Sequence, residues 1–258
     1  DGTFTNAERR INRVRPVMAS RTGKSEWQPV CDLAKAMGYP MHYASAAAIM
    51  DEIASLTPTF QGVSFARLDE LGSIQWPCND AAPEGTPIMH TDTFTRGEGR
   101  FVLTGYVPTD ERTSRRFPLL LTTGRILSQY NVGAQTCRTP NVAWHAEDVL
   151  EIHPHDAELR GIRDGDRVAL SSRTGDTTLH ARISTRMAPG VVYTTFHHPV
   201  SGTNVVTTSN SDWATNCPEY KVTAVQVAVA NAASSWQLTR DQRQGAQRIA
   251  PADATAAP

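Results

Sequence analysis

The sequence predicts an α/β portion followed by an all-β barrel, and the basis is a change of pattern along the chain. Residues 1–113 carry three amphipathic stretches whose apolar side chains recur at helical spacing. Residues 114–229 carry short apolar runs separated by turn residues, with a single small helix. Many short strands with little helix are typical of a closed barrel. Residues 230–258 are rich in Ala, Gln, Ser and Thr, which predicts a solvated tail, helical in part, that lies against another subunit.

Three helices are predicted in the first portion. Ser25, Ser45 and Ser64 are candidate N-caps, because a serine hydroxyl accepts a hydrogen bond from the first turn of a helix. The apolar stripe of the first helix predicts packing in the core, and its members are Trp27, Val30, Cys31, Ala34 and Met37. The segment 79–116 is rich in Pro, Gly, Asp and Thr, so we expect a surface connection with one short strand at 101–103.

The second portion is predicted to consist of short strands bounded by turn residues. They are expected at 117–121, 149–152, 167–172, 177–183, 191–196 and 222–229. A hairpin turn at 173–176 joins the third strand to the fourth. A short helix is expected at 157–159, between the second and third strands.

Composition excludes several classes of partner. The net charge is −1, from 25 Lys and Arg against 26 Asp and Glu, which argues against nucleic acid or an anionic membrane surface. No apolar run approaches the length of a membrane span. The four cysteines form no C-x-x-C pair, so zinc or iron–sulfur binding is not expected, and reduced thiols suit a cytoplasmic protein. We expect no metal ligand in this chain.

The end of the first predicted barrel strand is the most informative stretch. The apolar run 117–121 leads into Thr122-Thr123-Gly124-Arg125. Gly124 allows a close approach of the backbone, the hydroxyls donate hydrogen bonds, and the planar fork of Arg125 matches two phosphate oxygens. The alternative is an ordinary strand-to-turn corner with a surface arginine. No nucleophile elbow, Walker or dinucleotide-fold glycine pattern occurs, so we predict no catalytic side chain and a role in binding.

A longer resemblance favours the binding alternative. The stretch TTGRILSQYNVGAQTCRTPN at 122–141, with EYK at 219–221, resembles the C-terminal domain of molybdenum- or tungsten-dependent formate dehydrogenases. These enzymes belong to the dimethyl-sulfoxide-reductase family of molybdopterin oxidoreductases. The wording SQYN is similar to soluble NAD-linked members, whereas other members usually carry His in place of Gln129. The resemblance implies a double-psi β-barrel that binds a bis(molybdopterin guanine dinucleotide) cofactor.

The resemblance also implies which residues contact that cofactor. It places His197 after the fifth barrel strand, Asn204 in an N-x-x-T pattern, and Lys221 beside the pyrophosphate. The alternatives are a satisfied or surface histidine, an Asx turn after Gly202, and a solvated lysine at a strand end. The full predicted set is Thr122, Thr123, Gly124, Arg125, Ile126, Leu127, Gln129, Tyr130, His197, Asn204, Tyr220 and Lys221.

The activity implied by the resemblance is oxidation of formate to carbon dioxide. Two electrons would pass from the metal centre through iron–sulfur clusters to a flavin (FMN) subunit that reduces NAD. Asp1 starts within what reads as the middle of a protein, so we expect a C-terminal piece of the catalytic alpha subunit. Its partners would be the rest of that subunit and the flavin/iron–sulfur diaphorase subunits. The residue that ligates the metal would lie outside this sequence.

Two other functions fit the same residues. One is a related molybdopterin oxidoreductase with another substrate, such as an assimilatory nitrate reductase. The other is a stand-alone module that stores or delivers a dinucleotide. The metal ligand and its neighbours would separate the first from formate dehydrogenase, and the length of the reading frame would test the second.

Overall fold

A computed structural model describes residues 1–17 and 19–249, with side chains up to residue 243. The chain separates into two compact units, Asp1–Thr104 and a second that begins at Gly105. Residues 105–113 therefore group with the barrel, where the buried carboxylate of Glu111 accepts a hydrogen bond from Ala224 N–H at 2.8 Å. The division into domains after residues 113 and 229 stays a prediction.

The first unit contains a small antiparallel sheet and three helices. The strands are β1 (Gly2–Thr5), β2 (Arg10–Val14) and β3 (Ser73–Gln75), with β2 in the centre. The helices are α1 (Trp27–Ala36), α2 (Ala46–Leu56) and α3 (Phe65–Leu71). The sheet was not predicted, because β2 buries only Ile11 among polar neighbours and shows no apolar alternation.

Two of the three predicted caps are confirmed. The hydroxyl of Ser45 accepts a hydrogen bond from Ala48 N–H, and that of Ser64 accepts one from Arg67 N–H, each at 3.2 Å. At α1 the capping box is half formed. The Gln28 side chain accepts from the backbone N–H of Ser25 at 2.8 Å, but no side-chain hydroxyl caps the helix.

The apolar stripe of α1 does not lie in a core, contrary to the prediction. Of its members only Cys31 is buried, while Val30 is 57% exposed and Met37 is 78% exposed. The core of the unit consists instead of Ile11, Met50, Val63, Leu68, Ile74 and Cys78. The strand predicted at 101–103 is also wrong, because these residues form no regular structure and their apolar side chains are exposed.

The second unit contains a closed barrel of six strands, which confirms the predicted fold class. The strands are β4 (Leu119–Gly124), β5 (Val149–Ile152), β6 (Arg167–Ser171), β7 (Asp176–Ile183), β8 (Val191–Thr195) and β9 (Thr223–Val229). Their order is β4-β8-β5-β7-β6-β9, and β9 pairs with β4 to close the ring. The short helix α4 (Pro154–Glu158) follows β5 and begins three residues before its predicted start.

Strand pairing brings two chain segments to one rim of the barrel. β4 and β8 are parallel, with Thr123 opposite Thr194 and Gly124 opposite Thr195. The carboxyl ends of two parallel neighbours lie at the same edge of a sheet. The loop after β4 and the turn after β8 are therefore neighbours, although they are distant in sequence.

The tail begins as a helix that lies on its own barrel. α5 spans Ser235–Ile249, and the Gln237 amide donates to the carbonyl of Thr178 in β7 at 3.0 Å. The Trp236 ring covers Gly202, where an added Cβ would approach a ring carbon to 2.2 Å. Residues 250–258 of the predicted tail lie outside the described residues. Among the helices of the described part, none combines the length and the apolar character needed to cross a membrane.

Candidate functional site

The predicted phosphate loop, residues 125–131, leaves the barrel at the end of β4. Gly124 is required there by Tyr193 of β8, because a Cβ at this position would lie 2.4 Å from the phenol oxygen. The Tyr193 hydroxyl donates to the carbonyl oxygen of Arg125 at 3.4 Å. Burial and the nearby Glu151 carboxylate raise the pKa of Tyr193, so its hydroxyl keeps the proton it donates.

The segment at 220–221 lies beside the same strand end. The buried hydroxyl of Thr123 donates to the carbonyl oxygen of Tyr220 at 3.1 Å. The exposed ammonium of Lys221 donates back to the carbonyl oxygen of Thr123. Thr122 is half-buried and lies opposite Tyr193 in the strand register. Tyr220 and Lys221 are therefore held at the end of β4, next to the start of the loop.

A cleft of about 270 Å³ opens between the loop and these segments. Its lining consists of Arg125, Asn131, Val132, Phe196, Asn204 and Tyr220. The Arg125 guanidinium lies 5.3 Å from the centre of the Phe196 ring. The rings of Phe196 and Tyr220 meet edge to face at 6.5 Å. The cleft thus combines a cationic fork, two amides and two flat apolar faces, and among the described residues no carboxylate side chain lines it.

His197 lies beneath the loop and has no exposed surface. Its Nε2 accepts a hydrogen bond from Ile126 N–H at 3.1 Å, and its Nδ1 lies against the carbonyl oxygen of Asn131. Both ring nitrogens are therefore engaged by the loop backbone. The side chain of Phe196, one residue earlier, forms a wall of the cleft.

Gln129 points into the protein and is 5% exposed. Its Oε1 accepts from the Thr136 hydroxyl at 2.6 Å and from the Cys137 thiol at 3.3 Å. Within the described part of the chain, its Nε2 has no hydrogen-bond partner, and neither does Nε2 of the buried His198. Burial raises the pKa of the Cys137 thiol, and the negative charge of Asp148 adds to the shift. The thiol is therefore kept protonated as a donor.

Three further residues of the predicted set lie on the loop. Leu127 and Tyr130 are exposed, while Ile126 is half-buried and contributes its backbone N–H. Of the twelve predicted residues, the structure brings Arg125, Asn204 and Tyr220 to the lining of one cleft. The other nine are not part of that lining, and their contact with a cofactor stays a prediction.

Asp148 was missed by the sequence analysis. The carboxylate is buried and accepts from His197 N–H at 3.0 Å, from His198 N–H at 2.9 Å and from the Ser201 hydroxyl at 2.6 Å. A fourth bond comes from the Thr195 hydroxyl. These bonds fix the turn after β8. No local pattern distinguishes this aspartate from the other acidic residues of the chain.

Comparison with known proteins gives the class of this fold and site. Residues 119–224 match the sequence profile described as the molydopterin dinucleotide binding domain. The barrel therefore has the fold of a molydopterin dinucleotide-binding domain. Acetylene hydratase from Pelobacter acetylenicus shares the fold, with a TM-score of 0.60 at 14% identity over 86% of this chain and 35% of that one.

Curated relatives give a more particular likeness. The chain is 39% identical over 233 residues to F420-dependent formate dehydrogenase 2 subunit alpha of Methanococcus maripaludis. It is 32% identical over 234 residues to formate dehydrogenase H of Escherichia coli. Each match covers 88% of this chain. The chain spans about a third of the length of these relatives, 34% and 33% respectively.

Proposed function

We propose that this chain is the C-terminal, cofactor-binding part of a formate dehydrogenase catalytic subunit, and that the Arg125 cleft receives a bis(molybdopterin guanine dinucleotide). The observation that carries the proposal is the cleft itself. It places an arginine fork and amide side chains at the rim of a molydopterin dinucleotide-binding barrel. A pyrophosphate-linked pterin is anionic and offers many acceptors, which is the chemistry these groups recognise.

The residues present fit such a cofactor. Arg125 supplies charge and two parallel donors for phosphate oxygens. Asn131 and Asn204 offer both donors and acceptors for a pterin or purine edge. The buried Nε2 of Gln129 has no acceptor among the described residues, and a polar group left in that state costs about 1–3 kcal/mol. We infer that an acceptor on the cofactor, or on protein packed beside it, completes this bond.

The chain's own part in the reaction is binding and orientation. When bound, the cofactor supplies the two-electron redox chemistry at molybdenum or tungsten, and the protein positions and tunes it. Arg125 holds negative charge at the mouth of the cleft. Phe196 and Tyr220 exclude water from one side, while Thr123 and Lys221 fix the segment that carries Tyr220.

The assignment of formate as the substrate depends on two observations. The relatives are named as formate dehydrogenases, and the loop sequence resembles that family. We propose that electrons pass through iron–sulfur clusters and FMN of partner subunits to NAD, as the SQYN wording implied. The F420-dependent relatives favour F420 as the alternative acceptor. Assays of the whole enzyme with formate and each acceptor in turn would decide between them.

Exposed apolar side chains on α1 and at its C-cap support the proposed partner. Val30, Leu33 and Met37 are all more than half exposed on one helix face, which is unusual for large apolar side chains on a soluble surface. We propose that the rest of a longer alpha subunit covers them. This feature counts against the stand-alone module.

The test is Arg125→Ala in the full-length enzyme, with Arg163→Ala as the matched control. Loss of a charge-assisted pair of about 1.5–3 kcal/mol weakens binding roughly 10- to 100-fold. Molybdenum and guanine nucleotide per polypeptide should fall in Arg125→Ala. They should stay at the wild-type level in Arg163→Ala, whose exposed side chain lies in the turn before β6. Equal cofactor content in both variants would show that Arg125 does not bind the dinucleotide.

A further inference from the structure

His197 has only one protonation state that satisfies its surroundings. The Asn131 carbonyl oxygen can only accept a hydrogen bond, so Nδ1 carries a proton. The Ile126 backbone N–H can only donate, so Nε2 carries none. The ring is therefore the neutral Nδ1–H tautomer, and the other tautomer would place two donors against each other at Ile126.

The two groups held by this ring lie near opposite ends of the loop. Ile126 directly follows Arg125, and Asn131 is the point where the chain turns, with a positive φ of 46°. Gly133 follows with a φ of 68°, and a Cβ there would lie 2.3 Å from the His197 carbonyl oxygen. The loop is thus closed over the histidine, and its exit can take no side chain.

The histidine is itself held in place from the barrel. Asp148, next to the start of β5, accepts from the backbone N–H of both His197 and His198. The same turn presents Phe196 to the cleft, 5.3 Å from the Arg125 guanidinium. One short segment therefore builds a wall of the cleft and fixes the loop that carries Arg125.

We propose that His197 is a positioning residue that clamps loop 125–131 in the conformation that presents Arg125 to the dinucleotide. The link to the dinucleotide rests on the proposed function. The clamp is a property of the loop and is measurable without the cofactor. His197 makes its contacts through backbone groups, so it sets the shape of the loop whatever side chains the loop carries.

The first experiment compares hydrogen exchange in the full-length enzyme as His197→Leu, His197→Gln and wild type. Leucine fills the space but leaves the Ile126 N–H without its acceptor, so exchange in peptides over 125–131 should rise about tenfold or more. Glutamine carries an acceptor and a donor on one amide and should restore part of the protection. Exchange over β6 and β9 should stay unchanged. The controls are His155→Leu and His155→Gln, at an exposed position of α4, which should leave the loop unaffected.

Three results would overturn the clamp. Unchanged loop exchange in His197→Leu would show that the bonds do not hold the loop. If hydrogen exchange over β6 and β9 rose as much as exchange over the loop, His197 would be a general core residue and not a clamp of the loop. A glutamine variant no better protected than the leucine variant would show that hydrogen bonding is not its role.

A second measurement uses the wild-type enzyme and therefore does not depend on whether a variant folds. Nitrogen-15 chemical shifts of the His197 ring in the wild-type enzyme should show one protonated and one bare nitrogen, with Nδ1 protonated. An imidazolium or the Nε2–H tautomer would overturn the clamp. Cofactor content of the same variants separates the two proposals. A loosened loop with full molybdenum would leave the clamp standing and would count against the loop as the cofactor site.

Discussion

At position 129 this chain has Gln where the proteins it resembles often have His, and the difference alters the chemistry of the loop. Many formate dehydrogenases carry His at this place, according to the resemblance. Here the Gln129 amide is buried, and Thr136 and Cys137 fix its oxygen. Its orientation is therefore set by the protein, and its buried Nε2, which has no partner among the described residues, is a donor of constant charge. An imidazole at this position changes charge near neutral pH, whereas an amide does not.

We expect Gln129→His to keep cofactor binding but to make turnover of the full enzyme more dependent on pH between about 5 and 8, where an imidazole titrates. Gln129→Leu should lose turnover at every pH, because Thr136 loses its acceptor and the cofactor side is left unpaired. The measurement is the pH–rate profile, normalised to molybdenum content. Gln135→His, at an exposed position four residues after the loop, is the control and should match wild type. Superimposable profiles for all variants would place Gln129 outside the site.

Among the secondary-structure elements, α5 shows how a polar tail becomes ordered on its own chain. Its contact depends on Gln237, whose side-chain oxygen accepts from Thr178 N–H at 3.2 Å and from the Thr178 hydroxyl. Its amide nitrogen donates to the Thr178 and Val200 carbonyls at 3.0 and 3.3 Å. Composition alone predicted a solvated tail against another subunit. The first turns of the helix instead lie on β7.

Gln237→Ala should release α5 from the barrel. Several hydrogen bonds of about 1 kcal/mol each are lost, so amide exchange in the helix should rise at least tenfold. The β4 and β8 peptides should exchange as in wild type. Gln242→Ala, exposed on the same helix, removes the same group without these contacts and should behave as wild type. Unchanged exchange in Gln237→Ala would mean that Trp236 over Gly202 holds the helix without the amide.

For the molecule as a whole, the barrel has a closed core, whereas the first unit leaves a helix face exposed. The barrel buries apolar side chains from all six strands. In the first unit, α1 buries only Cys31. The relatives are about three times as long as this chain, and the Arg125 cleft is open on one side. Binding and chemistry at the proposed cofactor therefore need further walls.

Residues 1–258 expressed alone should show no formate oxidation with any dye acceptor. The physical reason is that the proposed function assigns the metal ligand and the electron-transfer centres to other parts of the enzyme. The measurement is dye reduction after reconstitution with cofactor, with the full-length enzyme assayed in parallel as the positive control. Measurable turnover by the isolated chain would contradict its proposed role as a binding part only.

Local patterns determined much of the fold. Caps at Ser45 and Ser64 and strand alternation with turn residues act within a few positions, so α2, α3 and the barrel strands were predictable. The sheet of the first unit was not, because its strands carry few apolar residues. The α1 stripe was assigned to a core because periodicity shows that a face is apolar, not what covers it.

The sequence by itself determined the barrel and marked the Thr-Thr-Gly-Arg loop at its rim. Only the tertiary structure decided what holds that loop. Ile126 and His197 are 71 residues apart, and His197 and Asp148 are 49 apart, so no short-range pattern encodes their hydrogen bonds. Their meeting follows from the parallel pairing of β4 with β8, which sets two strand ends side by side. Because of this pairing, His197, which the resemblance assigned to the cofactor, lies beneath the loop.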